Sequence, residues 1–407
     1  MTEMVLGSAL FVAIVLALSA AVLAARALLM PGGTAAITVN DRQELAAKLG
    51  EKLLGALNDG GIAVPSACGG AGTCGQCRVT VTEGGGEVLP NEKALFTRKQ
   101  IAQGNRLACQ VTVRGDVGVR VPDAVLNARE WRCTVVSSRT LAPLIRELAL
   151  ELPAGDALEF RPGSFVQVTA PAYRLSFADY DIAPEHRAAW ERQGLGNLTS
   201  SSAERVSRAY SIANTPEHGD RRIMLLIRLA LPPPDKPGVP PGVVSSWLFG
   251  LREGDRIDVS GPFGEFAAKN TDREMVFIGG GVGMAPLRAI ITDQLQRVAT
   301  KRKISFWYGA RGKVDLFYGD EFTRLQAEHD NFTWTVALSD PAPNEQWSGE
   351  TGFIHDVVLR RLVRDHPAPE ACEYYLCGPP LMIKAVLAML DDAGVDADCI
   401  FNDDFGS

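Results

Sequence analysis

Four of the eight cysteines fall in one region of the chain: Cys68-Gly-Gly-Ala-Gly-Thr-Cys74-Gly-Gln-Cys77, with Cys109 further on. No other feature limits the fold as strongly. Four thiolates can hold a [2Fe–2S] cluster, so the chain around them must return Cys109 to the same loop. Gly69, Gly70, Gly72 and Gly75 let the backbone wrap closely and aim N–H groups at the sulfides, which raises the reduction potential. Zinc also accepts four cysteines, but structural zinc sites usually pair two C-x2-C knuckles, whereas Cys109 stands alone. A disulfide framework belongs to small secreted scaffolds, not to 407 residues. The clustered spacing therefore reads as metal binding in a reducing compartment. Cys133, Cys372 and Cys399 are expected as small buried hydrophobes.

The length gives a prior of two to four domains, at roughly 100–200 residues each. With 46% apolar and 22% charged residues, most of the chain can bury a core. A net charge of −7 offers no basic face for phosphate, so no nucleic-acid partner is expected. No internal repeat or low-complexity tract is present.

Met4 to Ala25 carries no charge and ends at Arg26. At about 1.5 Å per residue the run spans roughly 33 Å of helix, enough for a bilayer core. A cleaved signal peptide would need a basic start and a shorter apolar core, and only Glu3 precedes the run. Arg26, Arg42 and Lys48 follow it, so the positive-inside rule puts the bulk of the chain in the cytoplasm. Further on, Ala36–Asn40 alternates like a strand, Leu45–Leu57 looks helical and Pro122–Glu130 reads as a linker. Trp131 to about Ala268 is strand-rich, with breakers at Pro153, Pro162, Gly163 and Pro171. From Arg273 onward, apolar strands alternate with helical stretches, as in a doubly wound parallel sheet. Those strands are Met275–Ile278, Lys303–Tyr308, Thr333–Leu338 and Glu373–Leu376.

The cysteine segment resembles the plant-type ferredoxin domain, with five residues rather than four between its first two cysteines. Arg208-Ala-Tyr210-Ser211 resembles the RxYS motif of the ferredoxin–NADP reductase superfamily. That resemblance implies that Arg208 meets a flavin pyrophosphate and that Tyr210 and Ser211 contact the isoalloxazine. Gly242-Val243-Val244-Ser245-Ser246 opens a probable helix, where backbone N–H groups suit phosphate. Gly261-Pro-Phe-Gly264 is similar to the end of that family's barrel. Gly279-Gly280-Gly281-Val-Gly283-Met-Ala-Pro286 follows an apolar strand and suits a dinucleotide pyrophosphate. Tyr308-Gly-Ala-Arg311 and Cys377-Gly378-Pro379-Pro380 follow at the ends of later strands. The resemblance implies that Cys377 lies beside a nicotinamide, and that Phe405, near the C-terminus, shields the flavin face. Arg311 is expected on the pyrophosphate.

The fold expected is multidomain. A transmembrane anchor (1–30) precedes an α+β ferredoxin-like β-grasp domain (34–126), an antiparallel β-barrel for FAD (131–268) and an α/β NADH-binding domain (269–407). That order resembles the family of F subunits of the sodium-translocating NADH:quinone oxidoreductases over essentially the whole chain. The segment Ser176–Asp181, through Arg187 and Trp190 to Arg205, resembles an insertion of that family, as does the proline-rich stretch Leu231–Gly242. Each is a surface loop or a docking surface. The resemblance implies FAD, a [2Fe–2S] cluster, NADH as substrate, quinone as eventual acceptor and other membrane subunits as partners. It also implies the cytoplasmic side of a bacterial inner membrane. Local charge leaves NADH against NADPH open, since Arg311 and Lys313 are basic and Asp315 acidic; the resemblance favours NADH. Two alternatives remain, a reductase component of a multicomponent oxygenase and a tethered docking subunit without turnover. Flavin would link the two electrons of a hydride to a one-electron cluster.

Overall fold

Asn40 and Asp41 both adopt positive φ, 50° and 56°. These two side chains tolerate the left-handed region, and a tight hairpin follows. The turn closes through the Arg42 N–H on the Val39 carbonyl (3.0 Å). It joins β1 (Thr34–Val39) to β2 (Gln43–Lys48), which pair antiparallel. The computed structural model describes residues 12–21, 33–66, 68–216, 221–233, 238–343 and 346–403.

The hairpin corrects the expected helix over Leu45–Leu57. Leu45 to Lys48 lie in β2, and only Leu53–Asp59 is helical. Gly50, at φ 92°, breaks the chain between them. Leu45 pairs with Ile37 across the hairpin, so strand pairing overrides helix propensity here. With β3 (Arg78–Glu83), β4 (Asn105–Leu107) and β5 (Val117–Arg120), a five-stranded sheet forms in the order β2-β1-β5-β3-β4. Beneath it, Glu92 is buried and takes Arg106 on both oxygens (2.9 and 3.0 Å) and the Leu107 N–H (2.9 Å).

Contacts divide the chain into two units, 1–64 with 70–126, and 65–69 with 127–407. In the second unit β6 (Arg129–Ala142), β7 (Ile145–Glu151), β8 (Phe165–Ala170), β9 (Tyr173–Ser176), β10 (Thr199–Ser202), β11 (Val206–Ser211), β12 (Arg222–Arg228) and β13 (Arg256–Phe263) follow in order. Six of them make an antiparallel sheet, β11-β8-β13-β6-β7-β12, and β9 pairs with β10 apart from it. The sheet curls until its edge strands meet at the Ile212–Leu225 bridge. One apolar core fills the curl, with Val166, Val168, Leu148 and Leu150 fully buried.

The remaining strands are β14 (Met275–Gly280), β15 (Ile304–Ala310), β16 (Phe332–Leu338), β17 (Glu350–Thr351), β18 (Glu373–Cys377) and β19 (Ile400–Asp403). All are parallel, in the order β17-β16-β15-β14-β18-β19. Every residue of β14 is buried, as expected of a strand covered on both faces. Sequence order runs outward from β14 to β17, then returns to β18 on the other side of β14. Arg288, on the helix Met284–Thr292, ties the two halves of this unit: Nη1 donates to the Ala213 carbonyl (2.6 Å) and Nε to Glu321 (2.8 Å).

Residues 12–21 are helical with exposed side chains, and the ends of the Met4–Ala25 run lie outside the described residues. Among the described residues no helix is long and apolar enough to cross a membrane.

Candidate active site and cluster loop

The cluster loop is held by backbone conformation. Gly69, Gly70, Gly72 and Gly75 have φ of 65°, 94°, 78° and 69°, a region that favours glycine. A Cβ on Gly72 would stand 2.4 Å from Asn91 Nδ2 and 2.5 Å from Gln110 Nε2. Cys77 and Cys109 are buried with their sulfurs 3.2 Å apart. The hydrogen bond that the Cys77 thiol donates to Cys109 Sγ, and then burial, push that thiol far above the usual range. Two such sulfurs can be thiolates together only around a cation, so the donor set fits an iron–sulfur cluster. The Gln110 amide donates to Cys109 Sγ (3.3 Å) and to the Gly70 carbonyl (3.2 Å), a sulfur contact the sequence did not announce. Cys74 is half-buried, as is Cys68 in the adjoining 65–69 segment.

In the second unit a cleft of about 340 Å³ collects the flavin motifs. Arg208, Tyr210 and Ser211 line it from β11, and Gly242, Val243, Val244 and Ser245 from the start of the helix Val243–Phe249. Val282 lines it from the glycine turn after β14, and Ala285 from the helix Met284–Thr292. Gly242 has no room for a side chain, since a Cβ would meet Ala230 Cβ and Ser245 Oγ at 2.7 Å. The Ser245 hydroxyl is spent locally, donating to the Gly242 carbonyl (3.1 Å) and accepting from the Ala230 N–H (3.2 Å). Ser246 is fully buried and does not line the cleft. Arg228, at the end of β12, also lines it. Neither Arg208 nor Arg228 has a carboxylate partner among the described residues. Two guanidiniums without a carboxylate partner, in a cleft where Gly242 leaves the backbone open, fit a pyrophosphate, as FAD would bring.

The nucleotide motifs meet at the carboxyl edge of the parallel sheet. Gly279 is level with Tyr308 on one side and Cys377 on the other, and Cys377 is level with Asp403. The order of strands reverses between β14 and β18, and open α/β sheets bind ligands outside such a switch point. A Cβ on Gly283 would stand 2.0 Å from the Cys377 carbonyl oxygen, and one on Gly378 3.0 Å from the Gly280 nitrogen. The two turns therefore touch backbone to backbone. Gly281 takes φ 57°, and the buried Tyr308 hydroxyl donates to its carbonyl (3.1 Å). Pro286 is buried in the first turn of the following helix, where its missing N–H costs nothing. Gly280 and Pro379 also meet, since a Cβ on the former would lie 3.4 Å from the Pro379 ring.

Cys377, Arg311 and Phe405 are the other residues expected at the site. Cys377 is completely buried in the core under the sheet edge. Arg311 is exposed and pairs with the exposed Asp340 (3.1 Å), while Lys313 donates to the Gln346 carbonyl (3.0 Å). Phe405 lies outside the described residues. Sequence reasoning missed Asp403, whose carboxylate accepts the Ser211 hydroxyl (3.3 Å) and so ties β19 to the flavin motif. It also missed Arg228 and the role of Tyr308. Nothing in the short β19 pattern signals Asp403, whereas the basic end of Arg222–Arg228 could have marked Arg228.

One further group of donors lies at the opposite end of the sheet. Glu274, His366 and Cys372 bring ligand atoms within 4.8 Å. The Ala368 N–H donates to His366 Nδ1 (3.2 Å), which assigns the ring proton to Nε2, facing Glu274 (3.2 Å). Burial pushes the Cys372 thiol up to about 11. Lys303 also pairs with Glu274 (3.1 Å), and the imidazole keeps no free lone pair.

Three family models match the chain. They are the 2Fe-2S iron-sulfur cluster binding domain over 37–114, the oxidoreductase FAD-binding domain over 196–267 and the oxidoreductase NAD-binding domain over 277–388. Curated relatives match from end to end. The F subunit of the Na(+)-translocating NADH-quinone reductase of Methylococcus capsulatus is 50% identical over 407 residues, covering 100% of both chains. The protein of that name in Marinomonas is 50% identical over 404 residues, covering 99% of both. The chain belongs to the family of F subunits of Na(+)-translocating NADH-quinone reductase. Solved structures outside this family share its architecture. An Amycolatopsis cytochrome P450 reductase, GcoB, is 27% identical with a TM-score of 0.62, covering 91% of this chain and 99% of its own. The ferredoxin reductase in carbazole 1,9a-dioxygenase shares the fold, with a TM-score of 0.60 at 24% identity and coverage of 92% and 99%. The F-subunit relatives, 50% identical over 99–100% of the chain against 24–27% over 91–92%, separate the chain from the oxygenase reductases.

Proposed function

We propose that this chain takes a hydride from NADH onto FAD and passes electrons one at a time to its [2Fe–2S] cluster, as the NADH-oxidising subunit of a sodium-translocating quinone reductase. The observation that carries the reading is the cleft lined together by Arg208–Ser211, Gly242–Ser245, Val282 and Ala285. When bound, FAD supplies the change from two-electron to one-electron chemistry.

The chain's own residues bind and orient. Arg208 and Arg228 would neutralise the flavin pyrophosphate. Asp403 accepts the Ser211 hydroxyl and so fixes that side chain on the cleft wall. Gly279–Gly283, fixed by Tyr308, leaves backbone room for the dinucleotide at the switch point. Buried Cys377 sits beneath that edge, where the nicotinamide would arrive. Cys68, Cys74, Cys77 and Cys109 would hold the cluster, with Gln110 tuning one sulfur. Other subunits of the complex are the partners, and quinone is the eventual acceptor. The uncharged run from Met4 to Ala25 would anchor the chain once through the membrane, with its folded parts on the cytoplasmic side.

The test is an anaerobic titration of the full-length protein with NADH. Flavin and cluster absorption should both bleach. A bleached flavin with an oxidised cluster would contradict the transfer. Deleting residues 1–30 should release the protein from the membrane fraction with both cofactors retained; a deletion variant that stays in the membrane would remove the single-anchor reading.

A further inference from the structure

The segment from β9 to β10 is packed on the barrel core. Phe177 and Trp190 are only 1% and 5% exposed. Tyr180 stacks on Phe177 at 4.8 Å and meets Trp190 edge-on at 5.9 Å. Tyr180 and Trp190 both pack on Phe249 (5.7 and 5.9 Å), the last residue of the helix Val243–Phe249. Trp190 Nε1 donates to the Pro143 carbonyl (2.6 Å), bolting the segment to the β6–β7 turn. The Arg146 guanidinium lies 4.7 Å over Phe249 and donates to the Asp181 carbonyl.

Two phenols from this segment hold the helix itself. Tyr173 Oη donates to the Val243 carbonyl (2.5 Å), which leaves Ser200 to donate to Tyr173 (2.7 Å). Tyr180 Oη donates to the Ser246 carbonyl (2.8 Å). In a continued α-turn that carbonyl would take the Gly250 N–H, but Gly250 turns back to Trp247 (3.1 Å). A Cβ on Gly250 would stand 3.1 Å from Tyr180 Cε1, so the glycine makes room for the ring. A helix of seven residues does not hold itself in water. This one is tied at both ends to the inserted segment, and it presents Gly242–Ser245 to the cleft.

We propose that the segment 173–202 is a clamp that sets the position of the cleft-facing helix for FAD, with Tyr173 and Tyr180 as its positioning residues. The proposal rests on the placement of FAD in the Arg208–Ser245 cleft. Tyr173→Phe and Tyr180→Phe keep both rings and remove one hydrogen bond to the helix each, Tyr173→Phe also removing the bond with Ser200. The test is FAD affinity of the full-length apoprotein, read by quenching of flavin fluorescence, with cluster absorption and thermal unfolding as measures of folding. Each single variant should raise the FAD Kd about fivefold, the size of one lost hydrogen bond, and the double variant more than either. The unfolding temperature without FAD should move far less than the unfolding temperature with it.

Arg208→Ala separates the two readings. If it weakens FAD binding while the tyrosine variants do not, the clamp is wrong and the cleft stands. If Arg208→Ala leaves the Kd unchanged, the cleft assignment itself falls. An unchanged Kd in the double tyrosine variant overturns the clamp, even where unfolding shifts. Failure of both single variants to fold would also overturn it, because the segment would then be core.

Discussion

The cluster loop and the flavin cleft solve the same problem, holding a cofactor still, by different means. Around the cysteines the work is local. Three of the four clustered cysteines and the glycines whose φ favours them lie within ten residues, Cys68 to Cys77, and only Cys109 comes from further along the chain. The cleft has no such local logic. Its walls come from residues 208–211, 226–230, 242–245 and 282–285, and they meet only because β11, β12 and the glycine turn occupy fixed places. A loop of the first kind depends on a few side chains. A site of the second kind depends on the register and spacing of whole elements, so it should be damaged by steric changes and tolerate many chemical ones.

Cys74→Ala should break the first site completely and leave the second alone. The visible signature of the cluster should vanish, FAD should remain, and NADH-driven ferricyanide reduction should largely survive. Loss of FAD from a folded variant would refute the independence of the two sites. Gly283→Ala is the steric counterpart. Its methyl would press on the Cys377 carbonyl, so NADH kcat/KM should fall by about tenfold to a hundredfold, with FAD and cluster retained. A near-normal value would mean that the two turns are not in contact.

Acid sharpens the contrast. Burial alone would raise the Glu92 pKa, but the Arg106 hydrogen bond and the Leu89 and Leu107 N–H groups overcome it and lower the pKa. A lowered folded pKa stabilises the first unit at every pH above the unfolded value, and that stability is lost as pH falls through the folded one. Cluster absorption should therefore bleach on acidification at lower temperature. In Glu92→Gln that acid-dependent part should disappear, and an identical pH profile would exclude Glu92 as its source. The smallest effect is expected at Asp340. Its pair with Arg311 is exposed, and such pairs are worth at most about 1 kcal/mol. Asp340→Asn frees Arg311 for the pyrophosphate that both nucleotides share, so kcat/KM should rise by at most about fivefold for NADH and NADPH alike. A gain confined to NADPH would move Arg311 from the pyrophosphate to the 2′-phosphate.

The two kinds of site also differ in what a sequence can reveal. Cys68 to Cys77 could be read directly, because ligands and turn glycines are neighbours in the chain. The glycine turn after β14 was legible for the same reason. Leu45–Lys48 was misread as helix, because the pairing that makes it a strand lies in Thr34–Val39. Asp403 was invisible, since its partner Ser211 is far away in sequence. The aromatic residues between β9 and β10 could be recognised as an insertion, but their contacts with Phe249 and the Val243 carbonyl exist only in the fold.

The glycines of the cluster loop also have an entropic consequence. A glycine in the unfolded chain has more backbone freedom to lose than any other residue, roughly 0.5–1 kcal/mol beyond alanine. Ordering Gly69, Gly70, Gly72 and Gly75 in left-handed conformations thus carries a penalty of about 2–4 kcal/mol before any contact forms. Iron–thiolate bonds can offset that penalty, and the thiols alone cannot. Loop ordering and cluster assembly therefore become a single thermodynamic event. A newly made chain would keep this stretch loose and accessible until iron and sulfide arrive, and then set it firmly.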